Sequence, residues 1–391
     1  MTPAIPLIDL AAADAGDRAP LDAIRAATED LGAVQVINHG VPEELTADLR
    51  ARMDRLLSLP RAQKAALASP HPYRGWRQWP DDFGRLELER FNVAQFDDIE
   101  AARAAGVADE HLGLYAHANV WPPDDPGLRE AAFEYIEASG RLAGRMLGLY
   151  ARAQGLPEDT FGLGALPHLR LTVNDYPTWT YPEAAQDGGE PEGRGADWTE
   201  EREGGMGRWV GSDEGRRRPG RGPGRWVGAR RRAGDTDKLL LLEHADDSAV
   251  TVLAQEGDYE GLQIQAPGGE WIPVPVVPGA LQVFSGNLLA RWTGGRLRLG
   301  RHRVVAGGTV TRRSTAVFVY PALDTLVGLL PPFAGSAACA AGSGAEPVVV
   351  WDHVKDRVAD YLAEYGRPDQ VAAWRDGQPY VAELAENSAG R

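Results

Sequence analysis

From residue 169 onward the chain runs as short apolar stretches, each stopped within a few residues by Gly, Pro or Asp: LRLTVNDY, KLLLLEHA, SAVTVLAQ, GLQIQA, WIPVPVV, ALQVFSG, LARWTGG, HRVVAG and TAVFVY. None is long enough to be a core helix. Many short strands at this spacing point to an antiparallel sandwich or barrel, in which each strand buries one or both faces.

The residues before this region have a different period. IPLIDL (5–10) and AVQVINHG (33–40) are strand-like. PLDAIRAATEDL (20–31), PEELTADLRARMDRLLSL (42–59) and the longer PGLREAAFEYIEASGRLAGRMLGLYARAQGL (126–156) carry apolar residues every three or four positions, the spacing of amphipathic helices. Helical character returns after residue 348. Three regions are therefore expected: an α/β part over 1–168 packing on a β core, the core itself over 169–330, and a helical part over 331–391.

Residues 185–237 interrupt the core region. They are rich in Gly, Arg and acids and repeat GRWVG at 207–211 and 224–228. Such a composition buries little apolar surface. A surface insertion, a functional lid and a translation out of frame all account for it.

Charge and cysteine content narrow the setting. A formal net charge of −15 disfavours a nucleic-acid partner or an anionic membrane surface. The single Cys339 cannot form an internal disulfide, so a reducing cytoplasm is expected. MTPAIPLIDL lacks the charged start and apolar core of a signal peptide, and no apolar run approaches the roughly 18 residues of a membrane helix. No feature of the sequence sets an oligomeric state.

The chemistry centres on LLLLEHADDSAV (239–250), where an apolar run that reads as a buried strand meets His and acid. Side chains two apart on a strand share a face. His244 and Asp246 are thus expected to face a barrel interior, with Asp247 pointing away and Glu243 also outside the ligand set. A second imidazole is needed, and His302 in RHRVV is the best placed because it lies in a strand-like run of the same region. Two His and one carboxylate on one side of an ion form the facial triad of non-haem Fe(II) oxygenases, with open positions for a co-substrate and O2. An H-x-D pair alone also arises as an ordinary buried polar cluster. TRRST (311–315) adds Arg312 and Ser314 on one strand face, a fork of donors and a hydroxyl suited to a carboxylate. NDYP (174–177) offers Asn174 and Tyr176 at the same spacing.

Taken in order, IPLIDL, GAVQVINHGVP, NDYP, HADDSAVTVL, GLQI, the long WIPVPVV to RHRVV segment and RRST resemble the isopenicillin N synthase-like family of iron(II)- and 2-oxoglutarate-dependent oxygenases. The resemblance covers residues 4–184 and 238–330. It implies a mixed α+β protein with a double-stranded β-helix (jelly-roll) core and flanking helices. It implies His244, Asp246 and His302 as iron ligands, Arg312 and Ser314 on the distal carboxylate of 2-oxoglutarate, and Asn174 and Tyr176 as further co-substrate contacts. Fe(II), 2-oxoglutarate and O2 are then the cofactor set of a dioxygenase that hydroxylates, desaturates or cyclises a small molecule. An amino acid, a peptide or a secondary metabolite, as in antibiotic biosynthesis, fits the family. A 2-oxoglutarate-independent oxidase of the isopenicillin N synthase type, or a jelly-roll binding protein with impaired catalysis, are the alternatives. Gly286-Asn287 and Thr293-Gly294-Gly295 depart from the family's Gly-Asp and Thr-Asn-Gly, and residues 185–237 replace a far shorter loop. The segment 71–96 corresponds to the family's substrate-lining region, which makes Tyr73, Arg74, Trp76, Arg77 and Trp79 candidates to grip an anionic or aromatic substrate, unless these aromatics only pack the layers together. Arg170 is a further carboxylate partner or else a strand-edge surface charge.

Overall fold

The computed structural model describes residues 4–80, 87–176, 239–257, 259–307, 311–334, 346–364, 371 and 374. The segment 185–237 and the side chain of Trp79 lie outside the described residues. The chain begins with β1 (Leu7–Asp9), α1 (Leu10–Asp14), α2 (Arg18–Asp30), β2 (Ala33–Ile37), α3 (Glu43–Leu57) and α4 (Arg61–Ala65). A hairpin of β3 (Gly75–Pro80) and β4 (Glu87–Ala94) follows, then α5 (Ile99–Ala104), α6 (Gly127–Ala153) and β5 (Pro167–Tyr176). From residue 239 on come β6 (Leu239–His244), β7 (Val250–Glu256), β8 (Leu262–Gln265), β9 (Trp271–Pro273), β10 (Leu281–Ser285), α7 (Asn287–Trp292), β11 (His302–Val305) and β12 (Arg312–Ala322). The described chain closes with β13 (Leu326–Val327), β14 (Val348–Val349) and α8 (Val350–Glu364).

Asp9 and Asp17 start α1 and α2 by accepting the backbone N–H of Ala11 and Ala19. α6 carries buried residues at helical spacing, among them Leu128, Ala132, Tyr135, Leu142, Met146 and Tyr150. That stripe packs on the large sheet, which has the order β1-β2-β10-β7-β12-β5-β4-β3. A second sheet has the order β6-β11-β8-β9. Strand alternation divides the core in two. Val317, Val319, Leu171 and Val173 face the helices, whereas Ala316, Tyr176, Leu262, Ile264 and Phe284 face the space between the sheets.

Two sequence expectations are corrected. LARWTGG is not a strand: Asn287–Trp292 is the helix α7, which buries Leu288, Leu289 and Trp292. Its i, i+1 and i+4 apolar positions suit a helix turn over the core as well as a short strand, and only packing separates the two. The leucine run is also less buried than expected. β6 is an edge strand in which Leu240 is buried and Leu239, Leu241 and Leu242 are half-buried.

Candidate metal centre and active site

β6 ends at His244, and Ala245, Asp246 and Asp247 follow in a loop. β11 pairs with β6 so that His302 stands opposite His244, with ring centres 4.3 Å apart. The loop brings Asp246 Oδ1 to 3.7 Å from His244 Nε2. One ligand atom from each of His244, Asp246 and His302 lies within 4.8 Å of the other two, close enough to share one ion.

Each imidazole is aimed by the backbone two residues upstream. His244 Nδ1 donates to the Leu242 carbonyl and His302 Nδ1 to the Gly300 carbonyl, both at 2.8 Å. A carbonyl only accepts, so the proton sits on Nδ1 and each Nε2 keeps its lone pair for a metal. Burial, and after it the neighbouring His302, hold the His244 imidazole well below its ordinary pKa against the pull of Asp246. The ligating neutral form is therefore the resting one. Phe284 packs on His302 with ring centres 4.5 Å apart. The Asp246 carbonyl accepts the N–H of Asn287 at 2.8 Å, which ties the loop to the start of α7. A side chain at Gly286 would bring its Cβ to 2.1 Å from the Ser248 carbonyl, so this crossing requires glycine.

The triad opens into a cavity of about 410 Å³ between the sheets. Its β5 and β12 wall is a ladder set by register: Tyr176 opposite Arg312, Asn174 opposite Ser314, Thr172 opposite Ala316 and Arg170 opposite Phe318. Arg312 is 1% exposed, lies 4.8 Å from the Tyr176 ring centre and donates through Nη2 to Gln255 Oε1 at 3.2 Å. Its Nε and Nη1 have no hydrogen-bond partner among the described residues, and neither does Asn174 Oδ1. Asn174 Nδ2 reaches Ser314 Oγ at 3.3 Å. A buried guanidinium with two unpartnered donors beside a hydroxyl suits the far carboxylate of a small diacid. The neighbouring Arg313 faces the other way, paired with Asp175 at 2.8 Å and with Asp54 of α3.

The substrate candidates separate. Tyr73 and Arg170 line the cavity, with the Arg170 guanidinium 3.7 Å from the Tyr73 ring centre and 4.5 Å from that of Phe318. Trp76 does not line it. It lies on the opposite face of the hairpin, buried in the helix-side core, and donates through Nε1 to Glu89 at 2.9 Å. Arg74 is buried behind the cavity and donates to the carbonyls of Tyr73 and Leu114, both at 2.8 Å. Arg77 donates to the carbonyls of Ser69 and His71 and lies 5.8 Å from the Tyr361 ring centre.

Asp247 does not point away from the interior. Strand alternation stops at His244, and the loop turns Asp247 inward, where it accepts from Tyr320 Oη at 2.7 Å. Burial would raise its pKa, but Arg170 first, then His353, the Tyr320 bond and Arg357, outweigh burial and keep it low. Sequence reasoning expected a helix here but missed that α8 lines the cavity. Arg357, Asp360 and Tyr361 line the cavity, and His353 Nε2 donates to the Asp247 carbonyl at 2.8 Å. Their helical spacing was the available signal: 353, 357, 360 and 361 share one face.

Two His and one carboxylate facing a cavity that also holds an unsatisfied buried Arg define the class of non-haem iron oxygenases that use a 2-oxo acid. The comparisons agree. The 2OG-Fe(II) oxygenase superfamily matches residues 231–321, and the description "non-haem dioxygenase in morphine synthesis N-terminal" matches residues 5–123. The chain belongs to the 2-oxoglutarate- and Fe(II)-dependent oxygenases, and it is a dioxygenase with Fe(II) and 2-oxoglutarate as cofactors. It is 28% identical to validamycin A dioxygenase of Streptomyces hygroscopicus subsp. limoneus over 362 residues, covering 86% of this chain and 82% of that one. It is 24% identical to a flavonol synthase/flavanone 3-hydroxylase of Arabidopsis thaliana, covering 85% and 81%. Among solved structures, the dioxygenase for auxin oxidation of rice shares the fold at a TM-score of 0.58 and 22% identity, covering 92% of this chain and 99% of that one. Among the described residues, no helix is long and apolar enough to cross a membrane.

Proposed function

We propose that His244, Asp246 and His302 hold the Fe(II), that Arg312 and Ser314, flanked by Asn174 and Tyr176, bind the distal carboxylate of 2-oxoglutarate, and that the enzyme oxidises a small molecule of secondary metabolism. The observation that carries this reading is the unsatisfied Arg312 guanidinium in the same cavity as the triad. When bound, iron and 2-oxoglutarate supply an oxidation by O2 coupled to decarboxylation to succinate. The chain's own residues do the rest. The Leu242 and Gly300 carbonyls fix the imidazoles. Arg312 anchors the co-substrate at one end, and the half-buried leucines of β6 with Phe318 limit water at the reacting centre. Tyr73 and Arg170 face the substrate from the other end. Hydroxylation, desaturation and ring closure share this geometry.

The names of the validamycin and flavonol relatives support a metabolite substrate, with antibiotic biosynthesis as one setting. The two facing sheets support a double-stranded β-helix core over 169–330, with 1–168 and 331–391 as flanking regions and 185–237 as an insertion. A single cysteine supports a cytoplasmic location.

Anaerobic addition of Fe(II) and 2-oxoglutarate should give a visible metal-to-ligand charge-transfer band, and turnover should release succinate. A band that Asp246→Ala leaves unchanged would overturn the ligand assignment.

A further inference from the structure

The three proposed iron ligands are not supported alike. Each imidazole is fixed through its far nitrogen, His244 by the Leu242 carbonyl and His302 by the Gly300 carbonyl, both at 2.8 Å. Among the described residues no hydrogen bond reaches the Asp246 carboxylate, which stands 3.7 Å from His244 Nε2. Strand pairing does not fix it either. β6 ends at His244 and β7 begins at Val250, so Asp246 rides on the loop between them. Its direction must come from the main chain on either side.

One tie is the Asp246 carbonyl, which accepts the N–H of Asn287 at 2.8 Å. The next residue supplies two more. The Asp247 carboxylate accepts from Tyr320 Oη at 2.7 Å, and the Asp247 carbonyl accepts from His353 Nε2 at 2.8 Å. Tyr320 is 3% exposed and belongs to β12, an interior strand of the large sheet held between β7 and β5. Its hydroxyl therefore fastens an irregular loop to a regular strand. Arg170 lines the same small enclosed space as Asp247 and Tyr320, and its charge offsets that of the carboxylate. A carboxylate with a fixed donor and a nearby opposite charge has one preferred orientation.

Resting on the ligand assignment above, we propose that Asp247 is a positioning residue for the metal centre: clamped by Tyr320 through its side chain and by His353 through its carbonyl, it sets the direction of the Asp246 carboxylate. It does for the third ligand what the Leu242 and Gly300 carbonyls do for the two imidazoles. Outer partners of metal ligands typically contribute about 10- to 100-fold in metal affinity. The Tyr320 bond acts one residue away from the ligand, so the low end of that range, about tenfold, is expected.

The test follows Co(II) binding to the full-length protein by visible absorption, with urea unfolding of the metal-free protein alongside. Co(II) is an air-stable stand-in for Fe(II) at imidazole and carboxylate ligands. Tyr320→Phe keeps the ring, removes the hydroxyl and should weaken Co(II) binding about tenfold. Asp247→Leu should weaken it by at least as much. The double variant should be no worse than Asp247→Leu alone, because both changes cut the same bond. Asp247→Asn still offers an oxygen to the hydroxyl and should stay nearer to wild type than Asp247→Leu. Tyr115→Phe is the control. It removes a buried hydroxyl that meets His168 Nδ1 at 3.1 Å and does not touch the loop. It should lower the stability of the metal-free protein and leave Co(II) affinity unchanged. The proposal is overturned by wild-type Co(II) affinity in Tyr320→Phe, by additive losses in the double variant, or by an equal loss in Tyr115→Phe. Asp246→Ala separates the two readings. If it binds Co(II) as the wild type does, the ligand assignment fails and the positioning role falls with it. If it loses Co(II) while Tyr320→Phe and Asp247→Leu do not, the positioning role alone is sunk.

Discussion

At the scale of single residues, Arg312 carries the most specific expectation. It is buried, half of its fork is held by Gln255, and the rest is unpartnered. Arg312→Ala should weaken 2-oxoglutarate binding by about 1.5–3 kcal/mol, the range of a hydrogen bond to a charged group, or roughly 10- to 100-fold. Titration of the charge-transfer band with 2-oxoglutarate measures this, and iron binding alone should be unaffected. Arg313 cannot take over, because alternation turns it toward Asp175 and Asp54 on the other face. His168 sets a pH dependence. Its folded pKa is pushed to about 3, by burial first and then by Arg170 and Arg74. Above about pH 6.5 the imidazole is neutral in both folded and unfolded chains and contributes nothing. Below that, the unfolded chain takes up a proton that the folded one refuses, so stability falls by up to about 1.4 kcal/mol per pH unit until the folded pKa is reached. Urea unfolding between pH 7.5 and pH 5 should therefore show a shallower loss of stability in His168→Gln than in the wild type. Equal slopes would count against a buried neutral His168.

At the scale of elements, α8 joins the site to the outer shell. His353 on this helix donates to the carbonyl of Asp247, next to a proposed iron ligand. His353→Leu keeps the bulk and removes the donor, leaving a buried carbonyl unsatisfied. A loss of about 1–3 kcal/mol in unfolding free energy is expected, with weaker iron retention on dialysis. Wild-type stability and iron retention in this variant would show that the helix merely covers the loop. The strands illustrate how far sequence reading reaches. The alternation of β5 and β12 is legible in NDY and RRST, and register converts it into a ladder of named pairs. The same rule extended past His244 gives the wrong side for Asp247, because the strand has already ended. Trp76 fails for a related reason. Its neighbours Arg77 and Gly75 share the inward face of the hairpin, and the intervening Trp76 must face the helices.

At the scale of the whole molecule, the two sheets and the α6 layer make the core of the described residues, and 185–237 is poor in apolar residues by composition. A variant with this segment replaced by a short Gly-Ser linker should keep its melting temperature and its charge-transfer band. Loss of either would show that the segment packs against the core or the site. The sequence by itself determined the helix and strand periods, the order of the motifs and the chemical types at His244, Asp246, His302, Arg312 and Ser314, because these depend on local spacing and side-chain chemistry. Only the tertiary structure decided which face of the β3–β4 hairpin is turned to the cavity, that LARWTGG coils into a helix, and that Asp247 turns inward. It alone brought Arg357 and Asp360 from the last described helix to stand beside Arg170. Those are outcomes of pairing and packing between segments far apart in the chain, and no local pattern encodes which distant surface a side chain will meet.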